Sequence, residues 1–167
     1  VYANTTENRI AVIDAATRRL KKHIPTGNDP SHLELSVDGK RLYVANSGSN
    51  DVTIIDTTVD QVLATVPTGK RPLLPCVASN GNAVYLPSGP ERAVTVVGAD
   101  GEFRARVAVG IAPHDIAVSP DSRWAYQPNS GSHTVTVIDG RNHCVAREIK
   151  VGQGPGHIAF RPESRIG

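Results

Sequence analysis

Four glycines divide this 167-residue chain into units of nearly one length. Gly27, Gly69, Gly110 and Gly152 stand 42, 41 and 42 residues apart, and a proline follows each three positions later (Pro30, Pro72, Pro113, Pro155). Other landmarks keep the same frame. Ser36-Val37-Asp38-Gly39 is echoed by Ala78-Ser79-Asn80-Gly81, by Ser119-Pro120-Asp121-Ser122 and by Arg161-Pro162-Glu163-Ser164. Tyr43-Val44-Ala45-Asn46 is matched by Tyr85-Leu86-Pro87-Ser88, Tyr126-Gln127-Pro128-Asn129 and, at the start, Val1-Tyr2-Ala3-Asn4. A period of this size marks a repeat architecture, in which each unit buries its apolar faces against its neighbours.

Each unit reads as four short strands. In the second unit they lie around Leu33–Leu35, Leu42–Ala45, Val52–Ile55 and Val62–Val66, rich in β-branched residues and separated by Gly, Asn, Asp, Ser and Pro. Ser-x-Asp-Gly and Asn-Ser-Gly-Ser-Asn have hairpin chemistry, since Gly tolerates positive φ and Asx side chains bond the local backbone. Asp14, Asp56 and Asp139 recur after the third strands and are expected to tie down the next turn. Gly98 takes that place in the third unit, so its turn should differ.

The third strands are apolar at successive positions, as in Val52, Ile54 and Ile55. A sheet with one wet face would alternate, so both faces are covered. Four-stranded units of 41–42 residues, stacked face to face about an axis, make an all-β β-propeller. The units are 28–69, 70–110 and 111–152, with a fourth split between 1–27 and 153–167. No apolar pattern of helical period supports a solenoid. Hydrophobic residues make up 39% of the chain and charged residues 20%, which excludes a disordered chain. A net charge of only +2, without basic blocks, argues against nucleic acid as a partner, and no apolar run approaches the roughly 18 residues of a membrane span.

The Tyr-Val-Ala-Asn segment, the Val-Thr-Ile-Ile-Asp strand and the Pro-Thr-Gly-x-x-Pro junction together resemble the YVTN-repeat β-propellers, over essentially the whole chain. That resemblance implies a bacterial or archaeal protein that is exported or surface-associated, hence a periplasmic or extracellular location. Members of the family usually have seven blades, whereas this chain carries about four units. Some relatives are subunits of redox enzymes, others are lactone hydrolases, and many have no known activity.

The 27 residues before the first junction and the 15 after the last together make one 42-residue unit. In this alignment Val1 falls at the position of Tyr43 and Gly167 at that of Leu42, so the tail would supply the first strand of the opening sheet and protect its edge. Three assemblies fit: a four-bladed ring, a homodimer forming an eight-bladed wheel, or part of a larger wheel. The chain opens on Val1 in mid-strand and contains no Met, which predicts a piece of a longer protein.

Strand direction alternates, so the loops entering first strands and those joining second to third strands share one face. His32, His114, His133 and His157 fall there. Position five after the junction glycines holds His32, Leu74, Asp115 and His157, at the mouth of the axial channel. Two imidazoles and a carboxylate from His32, Asp115 and His157 could hold a divalent metal or act as acid and base. Alternatively, the imidazoles only bond loop backbone. Lys70, Arg71 and Arg92 on the same face could receive an anionic ligand, though Glu91 dilutes them and a solvated rim is the plainer reading. His143 at an outer turn and His23 on an outer strand receive no role. Trp124 and the repeated tyrosines are expected to pack between blades.

Cys76 on an inner strand and Cys144 at an outer turn are expected to be free thiols, and neither forms a Cys-x-x-Cys-His haem motif. No nucleophile elbow, zinc-protease motif or phosphate loop occurs, and Gly152-x-Gly154-x-Gly156 precedes no helix. The sequence therefore favours a non-catalytic binding or assembly module that presents loops on one face to a protein or small molecule. A metal-assisted hydrolase of lactonase type and a redox-enzyme subunit are the alternatives.

Overall fold

The computed structural model describes residues 1–160. Strands β1 (Tyr2–Thr5), β2 (Arg9–Asp14) and β3 (Arg19–Pro25) form a first sheet. β4 (Pro30–Leu35), β5 (Arg41–Asn46), β6 (Asp51–Asp56) and β7 (Gln61–Pro67) form the second. β8 (Cys76–Val77), β9 (Ala83–Ser88), β10 (Ala93–Gly98) and β11 (Phe103–Ala108) form the third, and β12 (Ala117–Val118), β13 (Trp124–Asn129), β14 (Thr134–Asp139) and β15 (Val145–Lys150) the fourth. Every pairing is antiparallel between sequence neighbours, and the described residues contain no helix. This is β-propeller architecture, as the repeat predicts.

The unbroken apolar runs explain themselves in the packing. Val52 and Ile54 on β6 point toward the third sheet and meet Val84, Leu86 and Val97. Ile55, the next residue, points the other way and meets Ile10, Val12 and Ile24 of the first sheet. A third core joins third and fourth sheets through Tyr85, Val94, Val96, Ala125 and Ile138. Each buried Val or Ile side chain contributes about 1.5–3 kcal/mol. Junction prolines pair antiparallel with the ends of second strands, Pro72 with Ser88 and Pro113 with Asn129. The expected aspartate ties are present: Asp14, Asp56 and Asp139 accept from the backbone N–H of Thr17, Thr58 and Arg141. In the third unit Gly98 cannot, and Asp100 caps Glu102 N instead.

Two details differ from the repeat frame. Tyr2 pairs with Val12 as Tyr43 pairs with Ile54, and Val1 exchanges backbone bonds with Ile13, the position of Leu42 opposite Ile55. Val1 therefore corresponds to Leu42, not Tyr43. The first hairpin loop, Thr6 to Asn8, is one residue shorter than Ser47 to Asn50, and this moves the register and takes one residue from the closure arithmetic. The second concerns the shared sheet. Residues 151–160 form no strand; Ile158 N donates to Asp115 Oδ2 at 3.2 Å and Phe160 packs edge-on against Tyr126. The rest of that expected strand, 161–167, lies outside the described residues.

Among the described residues no apolar core joins the fourth sheet to the first. Ile149 measures this: it is 37% exposed, whereas Ile24, Val66 and Val107 at the same register are 2%, 6% and 4% exposed.

Candidate functional site

Loops that enter first strands are bonded to those that join second and third strands, which builds one continuous loop face. Ser47 N donates to Asp29 O at 2.9 Å, and Gly131 N to Ile111 O at 3.0 Å. The last residue of the second-to-third loop is left-handed in every unit: Asn8, Asn50, Arg92 and His133 have φ of 57°, 62°, 49° and 59°. Asn8 and Asn50 use their side-chain oxygens to accept from Asp29 N and Arg71 N. His133 does the same through Nδ1, accepting from Gly154 N at 3.1 Å. Its imidazole thus does the work of an asparagine amide in holding the junction.

Of His32, Asp115 and His157, the last two come together on the loop face, and His114 rather than His32 is the ring in contact with His157. His157 Nδ1 lies 3.3 Å from Asp115 Oδ2, and the His157 ring stands edge-on to His114 with centroids 5.8 Å apart. Backbone donors orient the carboxylate: Ile116 N reaches Oδ1 at 2.9 Å and Ile158 N reaches Oδ2 at 3.2 Å. His32 stands on β4, half-buried, and its Nδ1 has no hydrogen-bond partner among the described residues. Burial, and then the charge of His114, hold its pKa below the usual histidine value, so it is neutral near pH 7. Among the described residues no three His, Cys, Asp or Glu side chains are grouped closely enough to hold a metal ion as they stand. His157 and Asp115 supply two.

Lys70, Arg71 and Arg92 are all exposed on this face, and Glu91 beside them is paired with Arg106. Cys76 sits deeper on the inner strand β8, where burial pushes its thiol up to about 11. Both cysteines are free.

The opposite face holds a feature that the sequence reading passed over. A cleft of about 680 Å³ opens there between the third and fourth sheets, lined by Tyr85, Arg104, Arg123, Arg141 and His143. Burial first, then Cys76 and Asp139, push the Tyr85 phenol up to about 12. Its Oη lies 3.4 Å from His143 Nδ1. The signal available in the sequence was a substitution in the repeat frame: the last residue of the third-to-fourth turn is Arg18, Asp60, Gly101 and His143 in successive units, always left-handed.

Comparison with known proteins agrees on the fold. Hydrazine synthase from Kuenenia stuttgartiensis is similar with a TM-score of 0.74 and 21% identity, over 85% of this chain and 43% of that one. A functionally unknown protein from Desulfotomaculum acetoxidans DSM 771 is similar with a TM-score of 0.69 and 19% identity, over 92% of this chain and 54% of that one. The chain spans about half the length of these solved structures. No protein-family model and no curated protein matches the sequence. Identities this low carry the fold alone.

Proposed function

We propose that the chain is a non-catalytic binding or assembly propeller of YVTN-repeat type that engages a protein or small-molecule partner through the loop face. One observation carries this reading. Asp115, His114 and His157 converge on the loop face, with His32 near enough for His114 to lower its pKa. These groups offer donors and acceptors on a rigid rim, where a partner loop finds them already positioned. Lys70, Arg71 and Arg92 extend the face with cationic side chains suited to an acidic partner segment.

A redox-enzyme subunit is the form of this reading that the likeness to hydrazine synthase favours, and a protein partner follows from it. A lactonase-type hydrolase would instead require a divalent metal on His32, Asp115 and His157. The test has two arms. Lactone turnover is measured on the chain loaded with zinc, and affinity capture compares the wild-type chain with a His32→Ala, His157→Ala double variant. The binding reading expects no turnover and a partner retained only by the wild-type face. Zinc-dependent turnover, or equal capture by both chains, overturns it.

A further inference from the structure

The repeat compares three inter-sheet junctions on the face opposite the histidines, and each is built on a tyrosine of one sheet and a turn residue of the next. At the first junction the turn residue is Asp60, whose side chain is 5% exposed. It accepts from Tyr2 Oη at 2.7 Å and from Lys21 Nζ at 2.7 Å, while Lys22 Nζ donates to its backbone oxygen at 2.8 Å. This junction carries its own anion, held by a phenol and a cation.

At the second junction neither of these two positions is charged. Gly101 takes the turn position and Leu63 the register of Lys21, Leu63 following Val62, paired to Ile55, as Lys21 follows Leu20, paired to Ile13. Tyr43 Oη is consequently buried without a hydrogen-bond partner among the described residues.

The third junction has the phenol and the cation but no carboxylate at the place of Asp60. Tyr85 corresponds to Tyr2 and Arg104 to Lys21, since Arg104 follows Phe103, paired to Val97, as Lys21 follows Leu20, paired to Ile13. At the place of Asp60 stands His143, and the cleft of about 680 Å³ is open. Two further guanidiniums line it. Arg141 is anchored by Asp139 at 2.7 Å and Arg104 by Asp100, each of which leaves donors free on a five-donor group. Arg123 lies over the Trp124 ring, 5.1 Å from its centroid. The lining carboxylate, Asp121, is turned into its own hairpin, where Ser119 Oγ and Arg123 N bond its Oδ1.

From this internal template we infer that the cleft between the third and fourth sheets binds a small oxyanion, a carboxylate or phosphate group of a small molecule, beside the imidazole of His143, which stands where the first junction has Asp60. Arg104 is its main donor, with Arg123 at the rim, and Tyr85 Oη, 3.4 Å from His143 Nδ1, lies beside it. The site is separate from the histidine face and stands or falls independently of the partner proposed there.

Binding is read by isothermal calorimetry, with the fluorescence of Trp124, the chain's one tryptophan, which lies under Arg123, as a second signal. Inorganic phosphate and succinate are titrated in turn at constant ionic strength, with chloride as the balancing anion. The expected result is a saturable change with one or both probes, and which of them saturates assigns the ligand to the phosphate or the carboxylate class. Arg104→Gln and Arg123→Gln each weaken binding by about tenfold or more, the scale of one charge-assisted hydrogen bond. Arg19→Gln on the first sheet leaves affinity unchanged. His143→Asp rebuilds the first junction's own anion, abolishing binding and raising the thermal midpoint. A response to neither probe, a response that chloride reproduces, or equal affinity in wild type and Arg104→Gln overturns the inference.

Discussion

Tyr2 Oη donates to Asp60 Oδ1 at 2.7 Å, a bond that ties the first sheet to a turn of the second. Tyr43 occupies the same register one sheet later and finds no such partner, because Gly101 has no side chain to offer. The two tyrosines therefore respond oppositely to loss of the hydroxyl. Tyr2→Phe strands an acceptor and costs about 1 kcal/mol. Tyr43→Phe removes an unsatisfied buried donor and is neutral or stabilising. Urea denaturation of both variants beside the wild type checks the contrast, and equal losses would refute it.

The same junction sets a dependence on pH. Burial opposes ionisation of Asp60, yet the bonds from Lys21 and Tyr2 outweigh it and hold the carboxyl below its ordinary 3.8. The unfolded chain then binds the proton more readily, so this contribution is complete above the ordinary value and is lost as pH falls below it. Burial, then Asp60, push the Tyr2 phenol from 10.0 up to about 12, so folding retains that proton and stability declines as pH rises above 10. Asp60→Asn should flatten the acid limb and cost roughly 1–3 kcal/mol near neutrality. Thermal midpoints across pH measure both limbs; an unchanged acid limb in the variant would refute the assignment.

Most of the architecture was legible because a propeller repeats its constraints. The junction Gly-x-x-Pro, the turn aspartates and the two-sided apolar third strands each recur, and one physical reason serves every copy. The register of the opening strand was not legible. Tyr-Ala-Asn matches Tyr-Val-Ala-Asn equally well at two offsets, and only the pairing of Tyr2 with Val12 decides between them. Convergence of His157 on Asp115 followed from their shared position after the junction glycines. The arginine cleft was hidden because its residues, Tyr85 and Arg104 against Arg123 and His143, come from different turns and strands of two units, and none forms a local motif.

The two free thiols should separate by reactivity. Burial raises Cys76 to about 11, while Cys144 is exposed directly before the outermost strand β15. Thiolate is the reacting species, so a small alkylating reagent at neutral pH should modify Cys144 completely before Cys76 reacts appreciably. Mass spectrometry of the time course measures this. Modification of Cys76 first would mean that the inner strand β8 opens in solution.

The exposed Ile149 makes the sharpest prediction about stability, because Ile24 and Ile149 occupy one register and differ in their neighbours. Ile24 is 2% exposed between first and second sheets, and Ile149 is 37% exposed on the uncovered side of the fourth. Truncating a packed isoleucine removes its transfer energy and leaves a cavity, so Ile24→Ala should cost about 2–5 kcal/mol. At Ile149 no described residues build a facing apolar core and part of the side chain is already in water, so Ile149→Ala should cost about half of that or less. Chemical denaturation of the 167-residue chain compares them. If the two losses are equal, another sheet covers Ile149 in solution, and the uncovered fourth sheet is not the state of the chain in water.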